Sequence, residues 1–257
     1  MRKQLTAILA LTTAVALAVS VPANSETVRA GNLVLNFGGN ALPKKLPQFR
    51  YAPITLKMNG HIRTADGSHP PAARRMFLAF DRNGTVFTRG LPTCHPRRVE
   101  SRTTRQALRV CRQALVGRGS TKTQVRFPDS EPFVAPGPML IFNGPPRGRN
   151  RPTIVIHVYA NVPAPTAIVA RGVINKRYRG GRYGTSTLIR IPVVAGGYGS
   201  LLDFSATLRR FFGFRGKKRS YLYARCRDRR FQARGDIRFG DGSRIVGTVV
   251  RRCAQRR

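Results

Sequence analysis

The stretch PITLKMNGHIR, residues 53–63, alternates apolar and polar side chains along its length. Its apolar positions are Ile54, Leu56, Met58 and Ile62. A repeat of two residues places these four side chains on one face of an extended chain, and the polar ones, His61 among them, on the other. The stretch therefore predicts a β-strand with one buried face.

The same pattern recurs along the chain. Leu202, Phe204, Ala206 and Leu208 alternate with polar residues, and TIVIHVY, residues 153–159, is more uniformly apolar. The first predicts another half-buried strand, and the second predicts a central strand covered on both faces. Asn83-Gly84 and Asp241-Gly242 each lie between β-rich runs and predict hairpins with type I′ turns.

One helix is predicted, at about residues 103–116, where Thr103 or Thr104 can cap RQALRVCRQALVG and Gly117 can end it. Residues 128–152 are rich in Pro and Gly, which indicates either a domain linker or long loops around an edge strand. Many short strands and one helix predict an all-β fold, an antiparallel β-sandwich or barrel. We expect one large domain over residues 26–257, with a subdivision near 128–152 left open.

The first 25 residues have the anatomy of a secretory signal peptide. Arg2 and Lys3 precede an apolar run over residues 5–21, and small residues at Ala23 and Ser25 predict cleavage after Ser25. An uncleaved membrane anchor is the alternative. No later segment has about 18 consecutive apolar residues. We therefore expect export to the cell envelope or the extracellular space.

Four cysteines, Cys94, Cys111, Cys226 and Cys253, are an even number in a chain that is predicted to be exported. Three pairings are open, and we favour Cys94–Cys111 with Cys226–Cys253 because each pair is local. The short spacing of a zinc site is absent from the sequence. We expect two disulfides, no metal and no cofactor.

The composition is strongly basic, with 47 Lys plus Arg against 10 Asp plus Glu and a net charge of +37. Such a chain attracts polyanions. Residues 209–240 hold 12 Lys or Arg, two Asp and several aromatics, and GKKR, residues 216–219, predicts an exposed tip between strands. The candidate binding residues are Arg177, Arg179, Arg182, Arg215, Lys217, Lys218 and Arg219. The alternative is a solvated cationic face whose aromatics point into the core.

DGSHPP, residues 66–71, brings Asp66, Ser68 and His69 together and resembles a catalytic or metal-binding loop. Side chains of neighbours such as Ser68 and His69 point apart in extended backbone, so we do not expect a triad here. Asp-Gly followed by two prolines is typical of a turn. None of the four histidines is spaced for a metal, and His157 lies in an apolar strand where a core imidazole is expected. We predict a turn and no catalytic residue.

Four motifs stand in a specific order over most of the chain after residue 25. They are LPQFRYAPITLKMNGHIRTADGSHPPA (46–72), FDRNGTVFTRGLPTC (80–94), CRQALVGRGS (111–120) and SYLYARC (220–226). In this the chain resembles a family of uncharacterised secreted actinobacterial proteins. The resemblance implies export and a four-cysteine framework, and it implies no activity. The third cysteine is followed by Arg227-Asp228 where the family often has proline, so this loop is expected to differ.

We therefore expect a non-enzymatic exported protein that binds an anionic extracellular polymer or wall component, with membrane-surface association left open. Sequence-specific DNA binding is not expected outside the cell. One alternative is a hydrolase of cell-envelope material that uses His69 or His157 with a distant acid. Another is a structural module that binds protein through its sheet. The sequence leaves the oligomeric state open.

Overall fold

Twelve strands pair into one antiparallel sheet that includes residues from both ends of the described chain. The structure is a computed structural model that describes residues 25–256. The predicted signal peptide lies outside this range except for Ser25, which begins the first strand. In chain order the elements are β1 (Ser25–Ala30), β2 (Leu33–Leu42), β3 (Lys45–Pro47), β4 (Ala52–Pro53), β5 (Thr55–Thr64), β6 (Ala73–Asp81), β7 (Gly84–Val86), α1 (Thr104–Cys111), β8 (Leu115–Val125), β9 (Phe133–Arg147), β10 (Arg151–Ala160), β11 (Thr166–Asn175), β12 (Tyr183–Arg190), β13 (Gly199–Leu208), β14 (Phe211–Phe214), β15 (Lys217–Ser220), β16 (Leu222–Ala224), β17 (Arg230–Phe239), β18 (Arg244–Arg252) and β19 (Ala254–Arg256).

The strand order of the large sheet is β1-β2-β5-β13-β8-β9-β10-β11-β12-β6-β17-β18. Its two edge strands, β1 and β18, lie against each other. The sheet is therefore a nearly closed barrel, and the predicted all-β class is confirmed. Of the two predicted architectures, the closure of the sheet on itself selects the barrel over the sandwich.

Side chains close the seam between the two edge strands, where no strand ladder forms. Phe37 of β2 and Val28 of β1 lie where a Cβ at Gly247 of β18 would be. The backbone N–H of Val250 donates to a carboxylate oxygen of Glu26 at 3.2 Å. Glycine at this position therefore allows the two edges to approach, and the carboxylate satisfies a donor that an open edge would leave unpaired.

The predicted alternation at residues 53–63 is confirmed, because Ile54, Leu56 and Met58 point into the barrel. In β13 the prediction needs a correction. The register shifts between Leu201 and Asp203, so that Leu201 lines the interior where Leu202 was expected. A β-bulge of this kind adds a residue that a strict two-residue repeat does not anticipate.

The Pro- and Gly-rich stretch at residues 128–152 is neither a linker nor an edge. Its strand β9 has 15 residues and lies between β8 and β10 in the middle of the sheet order. On the β10 side the ladder stops at Met139, so Pro136 and Pro138 lie in a part of β9 that is paired on one side only. Proline is tolerated there because no ladder bond is required on the unpaired side.

The helix α1 packs on the outside of the barrel, over β9 and β10. Of the two predicted caps, Thr103 and Thr104, it is Thr103 that caps the helix, in a capping box with Gln106. The helix and its following 3-10 turn end at Ala114, earlier than predicted, because Leu115 already pairs with Phe142 in the sheet. No helix within residues 25–256 is long and apolar enough to cross a membrane.

The outer side chains of β9 and β10 under α1 are Leu140, Phe142 and Val155, and they form a second core with the helix. The prediction that residues 153–159 are covered on both faces is therefore confirmed. Both predicted disulfides are also confirmed. Cys94–Cys111 joins α1 to the loop before it, and Cys226–Cys253 joins the segment after β16 to the end of β18.

One of the two predicted hairpins is wrong. The strand after Asn83, β7, pairs with β16 and not with β6, because the Asp81 carboxylate accepts from the N–H of Asn83 and turns the chain away. Asp241-Gly242 does connect the paired strands β17 and β18. Only Gly242, at φ 86°, is left-handed in that turn, so the predicted type I′ geometry is absent.

A small sheet of order β4-β16-β7, which we call the capping sheet, lies at one end of the barrel. β4 leads into the start of β5, and β7 follows the end of β6. Leu222, Ala224 and Val86 face the barrel interior. Tyr221, just before β16, is buried in the main core. We call this the capped end of the barrel and the opposite one the far end.

Candidate functional site

The basic segment at residues 211–220 forms a short hairpin of β14 and β15. Arg215 and Gly216, at φ 51° and 69°, form its turn, so the predicted tip lies one residue earlier than GKKR, and Lys217 begins β15. Two of its cations lie over aromatic rings of the hairpin itself. Arg215 is 5.4 Å from the ring centre of Phe214, and Lys218 is 5.2 Å from that of Phe211.

The aromatic residues of this hairpin attach it to the loop after β7. Phe212 and Phe214 pack on Phe87 at centroid distances of 6.1 and 5.9 Å. Arg219 lies over the same Phe87 ring at 5.6 Å. The Phe87 and Phe214 rings therefore each contact both another ring and a cation, an arrangement that cation–π attraction stabilises.

The two basic segments predicted from the sequence approach each other through Arg89. The Phe214 ring covers Gly90, so Arg89 lies beside the hairpin. Burial, and then the charges of Arg89 and Arg177, lower the pKa of Lys176. The members of this basic cluster are Arg89, Lys176, Arg177, Arg179, Arg215, Lys217, Lys218 and Arg219.

Within residues 25–256, none of these eight side chains has a carboxylate within 4 Å. Sequence reasoning missed Lys176 and Arg89. Lys176 adjoins Arg177 and could have been included on that ground. Arg89 is remote in sequence from both segments, and only the packing of Phe214 on Gly90 brings it there.

Arg182 was predicted as a binding residue, but its side chain is directed inward and is only 18% exposed. It lies 2.9 Å from a carboxylate oxygen of Asp81 and donates a hydrogen bond to Asp228. It also donates to the carbonyl of Arg230 at 2.8 Å. Because its donors are used inside the fold, we leave Arg182 out of the binding surface.

Asp81 and Asp228 form the described carboxylate pair that most resembles an acid–base couple, because their pKa values move apart. Burial raises the pKa of Asp81, and the hydrogen bond from Arg182 lowers that of Asp228. However, Asp81 also accepts from the backbone N–H groups of Asn83 and Gln232 at 2.9 and 3.1 Å. With its oxygens so occupied, the pair acts as an internal ion-pair network.

The DGSHPP stretch forms the predicted turn between β5 and β6. Ser68 N–H donates to the Asp66 carboxylate at 2.9 Å, and Gly67 has φ 77°. The side chain of Asn32 and the N–H of Ser68 lower the pKa of Asp66. These contacts are those of an Asx-turn.

His69, however, contacts two residues that the sequence did not suggest. Its Nε2 lies 3.0 Å from the Ser200 hydroxyl, and its Nδ1 lies 3.0 Å from the Gln124 side-chain oxygen. The Ser200 hydroxyl donates to the carbonyl of Pro70, so its single proton is not directed at His69. Because that proton is directed at Pro70, the imidazole is not placed to take it, and Ser200 is only 1% exposed. These contacts anchor the turn to β13.

The other histidines have structural partners. His157 is fully buried under α1, as predicted for a core imidazole, and its Nε2 lies 2.8 Å from the carbonyl of Arg102. His61 is on the outer face and lies 2.6 Å from Asp203. Among residues 25–256 no three His, Cys, Asp or Glu side chains are grouped to hold a metal ion.

A row of arginines crosses the outer wall of the barrel from β11 to β18. Arg171 is opposite Arg190, and Arg190 is opposite Arg75. Arg75 is in turn opposite Arg238, which is opposite Arg244. All five are exposed. This arginine row therefore places five guanidinium groups on successive strands.

Two carboxylates lie beside the ends of the row. Glu100 bonds Arg171 at 2.8 Å, and Asp236 bonds Arg244 with both of its oxygens. The hydrogen bond from Arg244, aided by the nearby Arg238 and Arg234 charges, lowers the pKa of Asp236. Arg75, Arg190 and Arg238 have no carboxylate within 4 Å in the described chain.

Comparison with known proteins found no matching protein-family model, no matching curated protein and no matching solved structure. The functional argument therefore depends on geometry. The hairpin of β11 and β12 connects the two basic surfaces, because its loop carries Arg177 and Arg179 and its strands carry Arg171 and Arg190.

Proposed function

We propose that this protein is a non-enzymatic, exported protein that binds an anionic polymer of the cell envelope or extracellular space. The observation that carries the proposal is the arginine row, five guanidinium groups directly opposite one another on adjacent strands. The basic cluster lies further along the same β11–β12 hairpin, at its loop.

We expect the row to cost the fold stability, and this is the main reason to assign it a ligand. Like charges directly opposite in a sheet are destabilising by roughly 0.2–1 kcal/mol a pair. A linear polyanion laid across the strands would remove this repulsion, and guanidinium forks match phosphate and carboxylate groups. With strands about 4.8 Å apart, the five groups span roughly 19 Å.

The proposed location follows from chemistry and from the predicted signal peptide. Two disulfides are typical of proteins that fold outside the reducing cytosol. The resemblance to secreted actinobacterial proteins agrees with this. Wall and surface polymers rich in phosphate or carboxylate are the anionic partners that such a protein would meet, and a partner chosen by base sequence is not expected.

The test is the binding of fluorescently labelled linear polyphosphate, followed by anisotropy in about 50 to 200 mM salt. We expect the affinity of the wild type to fall steeply with salt because bound counterions are released. The row variant Arg75→Gln/Arg190→Gln/Arg238→Gln should bind at least tenfold more weakly at low salt. The slope of the logarithm of its affinity against the logarithm of the salt concentration should be shallower by about two.

The control variant Arg105→Gln/Arg109→Gln/Arg112→Gln removes the same charge from exposed residues on and just after α1. It should bind almost as the wild type does. If the row and control variants lose equal affinity, net charge alone explains binding and the site is wrong. A third variant, Arg215→Gln/Lys217→Gln/Lys218→Gln, measures how much the basic cluster contributes to polyphosphate affinity.

A further inference from the structure

The interior of the barrel encloses an apolar cavity of about 330 Å³. A sheet of about eight strands closes to an interior that side chains can fill, and wider sheets leave space. The twelve strands of this sheet therefore explain why a cavity remains. The volume is within the range of small-molecule pockets, roughly 300–1,000 Å³.

The cavity wall offers little to water. Most of its side chains are aliphatic or aromatic, and two of its threonines are turned away by their own hydrogen bonds. Thr121 and Thr185 donate to the carbonyls of Gly137 and Gly84 at 3.4 and 3.5 Å. A buried water needs two to four polar partners, so a cavity of this kind favours an apolar occupant.

The cavity extends along most of the length of the barrel. Its lining follows β13 from Gly199 to Leu208, which corresponds to roughly 30 Å of extended chain before strand tilt. It extends from Leu222 in the capping sheet to Ile191 near the far end. A small volume distributed over this length suits an unbranched chain better than a fused ring system.

The far end of the barrel exposes apolar side chains next to this cavity. Val193 is 61% exposed, and Tyr198, Val134 and Val162 are exposed in the loops and strand ends around it. The loop between β12 and β13 that carries Val193 also lines the cavity through Val194. At this end, one loop therefore carries both an exposed apolar side chain and a side chain that lines the interior.

From these observations we infer that the barrel binds one long-chain fatty acyl group in its interior. This goes beyond polymer binding, because the residues are on the inner face of the sheet and the chemistry is apolar. The acyl group could be that of a free fatty acid or of a lipid. Both present the same hydrocarbon chain to the cavity.

The first experiment titrates the full exported chain with cis-parinaric acid, a fluorescent fatty acid, and displaces it with saturated acids. We expect saturable binding of one molecule per chain. Affinity should rise roughly fourfold for each added methylene until the chain fills the cavity. Palmitate and palmitoyl-lysophosphatidylglycerol, compared as competitors, distinguish the free acid from the lipid. Absence of saturable binding, or affinity independent of chain length, would overturn the proposal.

The second experiment fills the cavity. Ala170 lines it on β11, and Val173 on the same strand points outward. Ala170→Phe should weaken parinarate binding at least tenfold, whereas Val173→Phe should leave it unchanged. If Ala170→Phe does not fold, Ala170→Leu, which adds less volume, takes its place. A folded filling variant that binds as the wild type does would contradict the assignment.

Salt distinguishes this proposal from polymer binding. Binding of a neutral chain, hexadecanol, should not weaken between low and physiological salt, and the row variant should bind it as the wild type does. Polyphosphate binding should weaken as salt rises, and it should be weaker in the row variant than in the wild type. Each proposal can therefore fail while the other stands.

Discussion

His157 is held in one protonation state by the atoms around it. It is fully buried between β10 and α1, and its Nε2 faces a carbonyl, so Nε2 carries the proton. Within residues 25–256 its Nδ1 has no hydrogen-bond partner in another residue. A second proton would place a charge in this buried site, and burial lowers the pKa of His157 accordingly.

This predicts acid sensitivity near neutral pH. The folded chain binds a proton at His157 less readily than the unfolded chain, whose histidine titrates near 6.5. The stability that the neutral imidazole contributes is therefore complete above this pH. It is lost as the pH falls toward the lowered value in the folded state, by up to about 1.4 kcal/mol per pH unit.

Urea unfolding between pH 7 and 5 measures this effect. His157→Gln should flatten the pH dependence of the unfolding free energy. The exposed His95 caps a separate 3-10 turn at Pro96–Arg98. The control His95→Asn replaces it with another capping residue and should keep the wild-type slope. Parallel profiles for His157→Gln and the wild type would assign the effect to another group.

Among the elements, α1 depends on one covalent bond and one cap for its position. Its buried face consists of little more than Ala107 and Cys111. Eight residues are too few to form a stable helix alone, so packing and the Cys94–Cys111 bond must hold it over β9 and β10. The helix in turn covers Leu140, Phe142 and Val155.

Replacing both cysteines of this bond by alanine should lower the unfolding free energy by about 3 kcal/mol, since the bond closes a loop of 17 residues. Hydrogen exchange should show faster exchange of the α1 amides. The matched variant Cys226→Ala/Cys253→Ala opens a loop of 27 residues and should cost about as much or slightly more. It should leave α1 protected. Unchanged α1 exchange in the first variant would show that packing alone holds the helix.

Local features of this fold were predictable from the sequence, and distant pairings were not. The strand over residues 53–63, the Thr103 cap and the Asp66 turn each depend on residues within a few positions. The pairing of β7 with β16 and the central place of β9 depend on strands far apart in sequence. No local pattern specifies a partner strand that is distant in sequence.

In the candidate site, too, some features were predictable from local sequence and others depend on distant pairings. The cations of the β14–β15 hairpin were predictable from their density along the chain. The arginine row was not, because its members come from five strands and meet only when the register is fixed. A shift of one residue in β6 would turn Arg75 to the opposite face. The inward turn of Arg182 likewise depends on Asp81 and Asp228, which lie far from it in sequence.

For the molecule as a whole, the two faces of one sheet present opposite chemistries. The inner face encloses an apolar cavity, and the outer face carries arginines in register. With a net charge of +37, the outer face must repel itself across the whole barrel. The folded state is therefore expected to gain stability when its charges are screened.

The response of stability to salt and to arginine substitution distinguishes repulsion within the row from repulsion over the whole molecule. Raising NaCl from about 0.01 M to about 1 M shortens the screening distance from about 30 Å to about 3 Å, and should increase the unfolding free energy of the wild type. Replacing Arg75, Arg190 and Arg238 by glutamine removes every like-charge pair of the row and should stabilise the fold at low salt by about 1–3 kcal/mol. Urea unfolding at both salt concentrations measures each effect.

The variant with Arg105, Arg109 and Arg112 replaced by glutamine changes the net charge equally, but these residues have no directly opposite cation in a sheet. Its unfolding free energy at low salt should rise clearly less than that of the row variant. Equal gains in the two variants would show that the repulsion is spread over the molecule. The row would then cost no special stability, and the main reason for assigning it a ligand would be lost. A larger gain in the row variant would show that the fold keeps these arginines opposed at a measurable cost, as expected of a surface that a polyanion completes.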